Sequence, residues 1–368
     1  MTSSSFRRVR RRLLAPPLLL VPLALSAQTV KPVQEADWRK ANDAVGALQR
    51  GHADVLRWEQ ANRPPATDTS APAGTPIPTA EAAVRMAWRA HRDLDRPLAR
   101  LGARNAQLIA EGRWTELDPS LQRRVEDAGE VLEVAQKGRK AWIEAVAAEQ
   151  VLKHQREMLD AAQAAHELGQ RMVTVGNWSA LQLAPVQLAA TSARMNLRRA
   201  EYAAARAQSQ LVRTLGLAGL QDRFALPAQL PAIPPQAMSD TDARRRAEAV
   251  RGQLPVAEGL RNQALSRDAL AAYQSAHALA LDSQGELLKT RAFITDETLL
   301  HYNGMLKSVW ELLDEVRNQS QAAVDAIGVQ RDFWIAEADL QWVLQGGAPD
   351  SFVSLGGTGG DAPAAAAH

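Results

Sequence analysis

Apolar residues recur along most of this chain at alternating steps of four and three. From Ser120 to about Val173 there is no proline, and Leu121, Val125, Ala128, Leu132, Ala135, Trp142 and Val146 keep that rhythm. The spacing predicts the seam of a coiled coil. A helix of roughly 50 residues would run about 75 Å at 1.5 Å per residue. After Gly176-Asn177 the pattern resumes at Ser179 and lasts to about Leu215, with Pro185 in the second turn. A second round follows. Ser239-Asp240 starts a helix, Pro255 is expected to kink it, and helical patterning continues to Tyr302. Beyond Asn303-Gly304, the residues Val309, Leu313, Val316, Ala323, Ile327 and Trp334 take up the rhythm again and end near Gly346-Gly347.

The two interruptions correspond. RMVTVGNWSALQL and HYNGMLKSVWELL each place a glycine just before a serine, and Asn-Gly is a turn signal. Aligned on Ser179 and Ser308, the offset of 129 also sets Leu211 on Leu340 and Leu215 on Leu344. Aligned glycine to glycine, Gly176 on Gly304, the second tip holds one extra residue. Each glycine is expected to supply the positive φ that ends the incoming helix, and each serine to cap the outgoing one. The expectation is an all-α protein of two tandem long helical hairpins, an internal repeat.

The remaining segments divide as follows. Residues 28–62 read as short amphipathic helices, 63–79 as a Pro/Thr/Ala linker, 80–216 as the first hairpin repeat and 217–238 as a Pro-rich extended connection. Residues 239–347 read as the second repeat and 348–368 as a disordered Gly/Ala-rich tail. Thr79 caps a helix opening AEAAVRMAWRAH, which runs to a break at Leu117–Ser120, where Ser120 or Asp118 caps the next.

Composition changes this picture at one end. Five arginines precede an apolar run of about 15 residues and the small pair Ser26-Ala27, so residues 1–27 read as a cleavable signal peptide. The formal charge is +2, and those 27 residues hold five arginines and no acid, so cleavage leaves about −3. That balance excludes a basic nucleic-acid face. Cysteine is absent, which removes disulfides, thiolate metal sites and cysteine nucleophiles. His154 and His166 lie twelve apart, not at the four-residue spacing of a shared-face ligand pair, and no nucleophile-elbow or phosphate-loop spacing occurs. Met172 and Met305 read as apolar filler at the tips. No catalytic, cofactor or metal site is expected.

Two hairpins with Gly-x-x-(x)-Ser tips, openings PTAEAAVRMAWRAH and MSDTDARRRAEAV, and closings LVRTLGL and LQWVLQGG resemble the TolC-like outer-membrane efflux proteins. TDETLLHYNGMLKSVWELLDEVRNQ resembles a branch associated with copper handling. The resemblance implies a homo-trimer whose hairpins form a periplasmic tunnel. Its tips would dock a periplasmic adaptor protein joined to an inner-membrane pump, for export of metal ions or small molecules. The docking rim it implies is Val175, Gly176, Asn177 and Ser179 with Asn303, Gly304, Met305 and Ser308. One departure stands out: neither 112–120 nor 264–302 has the alternation a barrel strand needs. The alternative expectation is therefore a barrel-less periplasmic scaffold or binding protein, with metal (copper) handling as its field.

Overall fold

The computed structural model describes residues 74–217 and 224–355. The expected signal peptide, the helical segment 28–62, residues 63–73 of the linker and residues 356–368 of the tail lie outside them. Nine α-helices and one two-stranded ladder are the main elements among the described residues. Strand β1 (Thr75–Pro76) precedes α1 (Ala80–Ala90), α2 (Asp95–Glu111), the one-turn α3 (Leu121–Arg124), α4 (Ala128–Thr174) and α5 (Ala180–Thr214). Strand β2 (Phe224–Ala225), α6 (Asp240–Arg251), α7 (Val256–Asp282), α8 (Leu288–Asn303) and α9 (Val309–Val343) follow. Residues Ser283–Leu287 form a π turn that joins α7 to α8 without a break.

Four rods lie side by side. α5 packs along α4, α4 also packs along α9, and α9 packs along α7 and α8. α4 has 47 residues, about 70 Å of helix. α5 and α9 have 35 residues each and begin and end at matching positions under the 129 offset. Leu211, Leu215, Leu340 and Leu344 are all buried, as the repeat demands. Close rod approach comes from small residues: Ala190, Ala193, Ala200 and Ala204 form the buried stripe of α5.

Several breaks differ from the sequence pattern. The opening helix ends at Ala90, because His91 is extended (φ −108°, ψ 90°), and α2 then runs, broken by a kink at Gly102 (φ 78°, ψ 156°), to Gly112, whose φ is 81°. The long helix does not start at Ser120: Val125 is extended and Asp127 is left-handed (φ 62°), a conformation aspartate tolerates. Asp118 caps no helix. Its Oδ1 accepts from the Ser120 amide and hydroxyl in a local turn. Pro255 separates α6 from α7 rather than kinking one helix, since its extended ψ of 148° sets the start of α7. The end of the expected linker is anchored: Thr75–Pro76 pairs in parallel with Phe224–Ala225, Ile77 is fully buried, and its carbonyl accepts from Trp142 Nε1. The start of the expected disordered tail is packed too, with Phe352, Val353 and Leu355 half-buried against the cores.

The π turn has a cause readable in the burial pattern. On the base side, Gly259, Asn262, Ser266, Ala269, Leu270 and Tyr273 match buried Val131, Val134, Gly138, Ala141, Trp142 and Ala145 at an offset of 128. On the tip side, buried Thr298 matches buried Gly169 at 129. One added residue is absorbed as a widened turn, so both ends keep their packing faces.

The candidate docking tips and helix flanks

Both tips are built by one hydrogen-bond scheme. At the first, the Gly176 amide donates to Val173 O (3.0 Å) and the Asn177 amide to Met172 O (2.9 Å). At the second, the Met305 amide donates to Tyr302 O (3.0 Å) and the Leu306 amide to His301 O (2.8 Å). This is the Schellman closure, which satisfies carbonyls a helix end would otherwise orphan. Its left-handed residue is Gly176 (φ 80°) in one tip but Met305 (φ 59°) in the other. Gly304 has φ −80° and sits one position earlier, in the place of Val175. The expected role of Gly304 is therefore Met305's, and the tips match residue for residue with no insertion.

The serines behave as expected and recruit a partner each. Gln182 N donates to Ser179 Oγ while Ser179 N donates to Gln182 Oε1 (2.8 Å). Glu311 and Ser308 repeat the box, with Ser308 N donating to Glu311 Oε2 at 2.8 Å. The Ser308 amide and hydroxyl hold the Glu311 carboxyl below its ordinary range. Ser-x-x-Gln and Ser-x-x-Glu were visible signals that the sequence reading did not use.

Of the eight expected rim residues, all but Asn303 are exposed, and Asn303 is half-buried. The apex is apolar: Met305 is 94%, Leu306 77% and Val175 68% exposed. The two tips are tied through a contact the sequence did not announce. Trp178 stacks on Trp310 of α9, with centroids 4.5 Å apart and planes 25° from parallel. Behind that stack, Ala162, Ala165, Pro185 and Leu313 help line a groove of about 460 Å³.

Farther from the tips, the junction of the hairpins is polar. Asp339 of α9, buried, accepts from Gln136 (2.7 Å) and Lys140 (3.0 Å) of α4. Glu337 faces Arg139 at 3.5 Å. Burial pushes both carboxyls up, against the pull of their cationic partners. Such pairs fix alignment more than they add stability. The outer flanks of the four rods are apolar instead. On α5, Leu181, Leu188, Met195 and Tyr202 are exposed at steps of seven, one straight stripe. On the opposite edge, Leu279, Leu287, Phe293 and Leu300 are exposed.

Among the described residues, no three His, Asp or Glu side chains gather to hold a metal ion, and no helix is long and apolar enough to cross a membrane.

No family model matches the sequence, and no curated protein matches it. Solved structures do match. CusC, described in terms of folding and transmembrane channel formation, aligns with TM-score 0.51 at 14% identity, over 72% of this chain and 96% of its own. The chain has the TolC-like helical-hairpin fold. Two outer-membrane channels also align: OprN with TM-score 0.47 at 13% identity, covering 74% of this chain and 91% of its own, and Campylobacter jejuni CmeC with 0.46 at 11%, covering 66% and 67%.

Proposed function

We propose that this chain is the helical-tunnel component of an envelope efflux or secretion assembly, located at the periplasm and outer membrane. Three copies would close into a ring, and the tips would dock a periplasmic adaptor joined to an inner-membrane pump. The observation that carries the reading is the duplicated tip. Two Schellman turns with serine capping boxes stand side by side, and they expose Val175, Met305 and Leu306 to solvent. Exposed apolar apices on a rigid base suit a protein partner. The proposed rim remains Val175, Gly176, Asn177, Ser179, Asn303, Gly304, Met305 and Ser308. The cargo class, metal ions or small molecules, rests on the resemblance alone.

The ring is supported by the repeat itself. α4 has a hairpin mate, α5, on one side and α9 on the other. Its counterpart, α7 with α8, has its mate α9 but an apolar flank on the other side. The element equivalent to α9 is α5, and α5 carries the other unpartnered apolar stripe. Repeating the internal relation therefore places α5 of one copy on α7 and α8 of the next, a head-to-tail contact that closes as a ring. The test of the tips is an adaptor pull-down with the Val175→Asp, Met305→Asp double variant. Loss of at least tenfold in adaptor binding, with unchanged oligomer mass, is expected; unchanged binding would remove the docking role.

A second reading, a barrel-less periplasmic scaffold or binding protein, draws on the α6–α7 connection. Only residues 252–255 join those helices, leaving no room for a strand pair there. A monomeric mass for the signal-cleaved protein would favour it.

A further inference from the structure

The internal repeat fixes which residues of two neighbouring copies stand level. Within the chain α4 and α9 are antiparallel, and Lys140 of α4 reaches Asp339 of α9. Both helices rise about 1.5 Å per residue, so each step toward the tip on α4 is one step toward lower numbers on α9. The groove linings agree: Glu144 and Ile335, Val151 and Gly328, and Ala165 and Asp314 line shared grooves. Position 154 of α4 is therefore level with 325 of α9. Carried over at the offsets of 128 and 129, these become Asp282 of one copy and position 196 of α5 in the next.

Opposite charges stand at that level. Helix α5 holds five arginines and one acid, whereas α7, α8 and the π turn between them hold six acids against four cations. Arg194 and Arg198 bracket position 196 one turn apart, and Asp282 and Glu286 have the same four-residue spacing across the π turn. All four side chains are exposed, and among the described residues none of them makes an ion pair or a side-chain hydrogen bond. The α9 equivalent of Arg198 is Ile327, buried in one cluster with Val146 and Ala147 of α4. Arg198 thus lies on the face of α5 that the repeat turns toward the next copy. Of the neighbouring charges, Arg199 donates to Asn196 of its own helix (3.3 Å), and Glu201 and Lys289 lie three residues beyond the set on either side.

We propose that Arg194 and Arg198 of one copy pair with Glu286 and Asp282 of the next, and that this charge match sets the register of the contact between copies. The inference rests on the ring reading given above. Antiparallel rods order the pairs: Arg198 and Asp282 are the two nearer the base, Arg194 and Glu286 the two nearer the tip. Where the internal contact buries Ile327, the contact between copies is ionic. The same arginines would meet one another if α5 packed on α5 of a second copy, so they disfavour the two-fold pairing that an exposed apolar stripe alone permits. Exposed pairs are screened by salt and the buried Asp339 junction much less, so ionic strength acts on the contact between copies before the contact between hairpins.

The test is the mass of the signal-cleaved chain by sedimentation, over a range of concentrations in low and high salt. The parent should form the ring, and high salt should weaken its association by roughly tenfold or more. The R194E, R198E variant and the D282R, E286R variant should each associate at least roughly tenfold more weakly than the parent in low salt, and the four-residue exchange should restore association. All four positions are exposed, so each variant should melt within a few degrees of the parent. A ring that forms equally well with either double variant, that the exchange fails to restore, or that is indifferent to salt would overturn the pairing and leave the ring standing. A parent that stays a single copy at every concentration would overturn the ring and the pairing together.

Discussion

Met305 holds a left-handed backbone that its equivalent, Gly176, adopts without a side-chain penalty. A non-glycine residue there costs about 1 kcal/mol. Met305→Gly should therefore raise stability by about 1 kcal/mol in chemical denaturation, and a lower midpoint would show that the side chain packs in a way its 94% exposure denies. The capping boxes make a second, pH-based distinction. Glu311 has a depressed carboxyl, so its contribution is present above the ordinary carboxylate range and is lost as pH falls through the depressed value. Gln182 does not titrate. The Ser308 amide resonance should move with acid while that of Ser179 stays still; parallel behaviour would contradict the reciprocal box. These two residues also show the limit of the sequence. Serine, glycine and their spacing located both tips, but a glycine-to-glycine alignment misassigned the left-handed position. Backbone conformation depends on the hydrogen-bond scheme, which the serine-to-serine offset of 129 tracks and residue identity does not.

At the scale of elements, the hairpins were legible because apolar periodicity over 35 to 47 residues leaves little choice of structure. The irregular base was not. Asp127, His91 and Gly112 turn the chain there, and residues 112–122 reach across to the second repeat, where Trp114 N donates to Gln341 Oε1 and Gln122 to Gln345 O. Contacts separated by more than 200 positions leave no local pattern. The Trp178–Trp310 stack, between residues 132 positions apart, leaves no local pattern either. The π turn yields a prediction: deleting Gly285 should restore an uninterrupted helix with both packing faces preserved, because α4 is that helix. Deleting His154 from the middle of α4 should rotate its tip half about 100° against its partners. The Gly285 deletion should melt within a few degrees of the parent and the His154 deletion far below it. The reverse order would contradict the one-residue account of the widened turn.

The chain shares the helical-hairpin fold of CusC, and the packing of its own helices gives the arrangement of the rods; the adaptor, pump and cargo belong to the proposal. Two unmatched apolar flanks on one chain are the physical link between them, since an exposed stripe about 30 Å long on α5 is a liability unless covered. The internal repeat specifies the contact that would cover it. Within one chain Trp178 meets Trp310, and at the 129 offset those positions become Lys307 of one copy and Leu181 of the next. The chain has no cysteine of its own, so a Lys307→Cys, Leu181→Cys double variant carries only the two reporting thiols. Treated with a short bifunctional thiol reagent in dilute solution, it should give a ladder that ends at three chains. A product confined to one chain, or a ladder that continues past three, would contradict the closed ring.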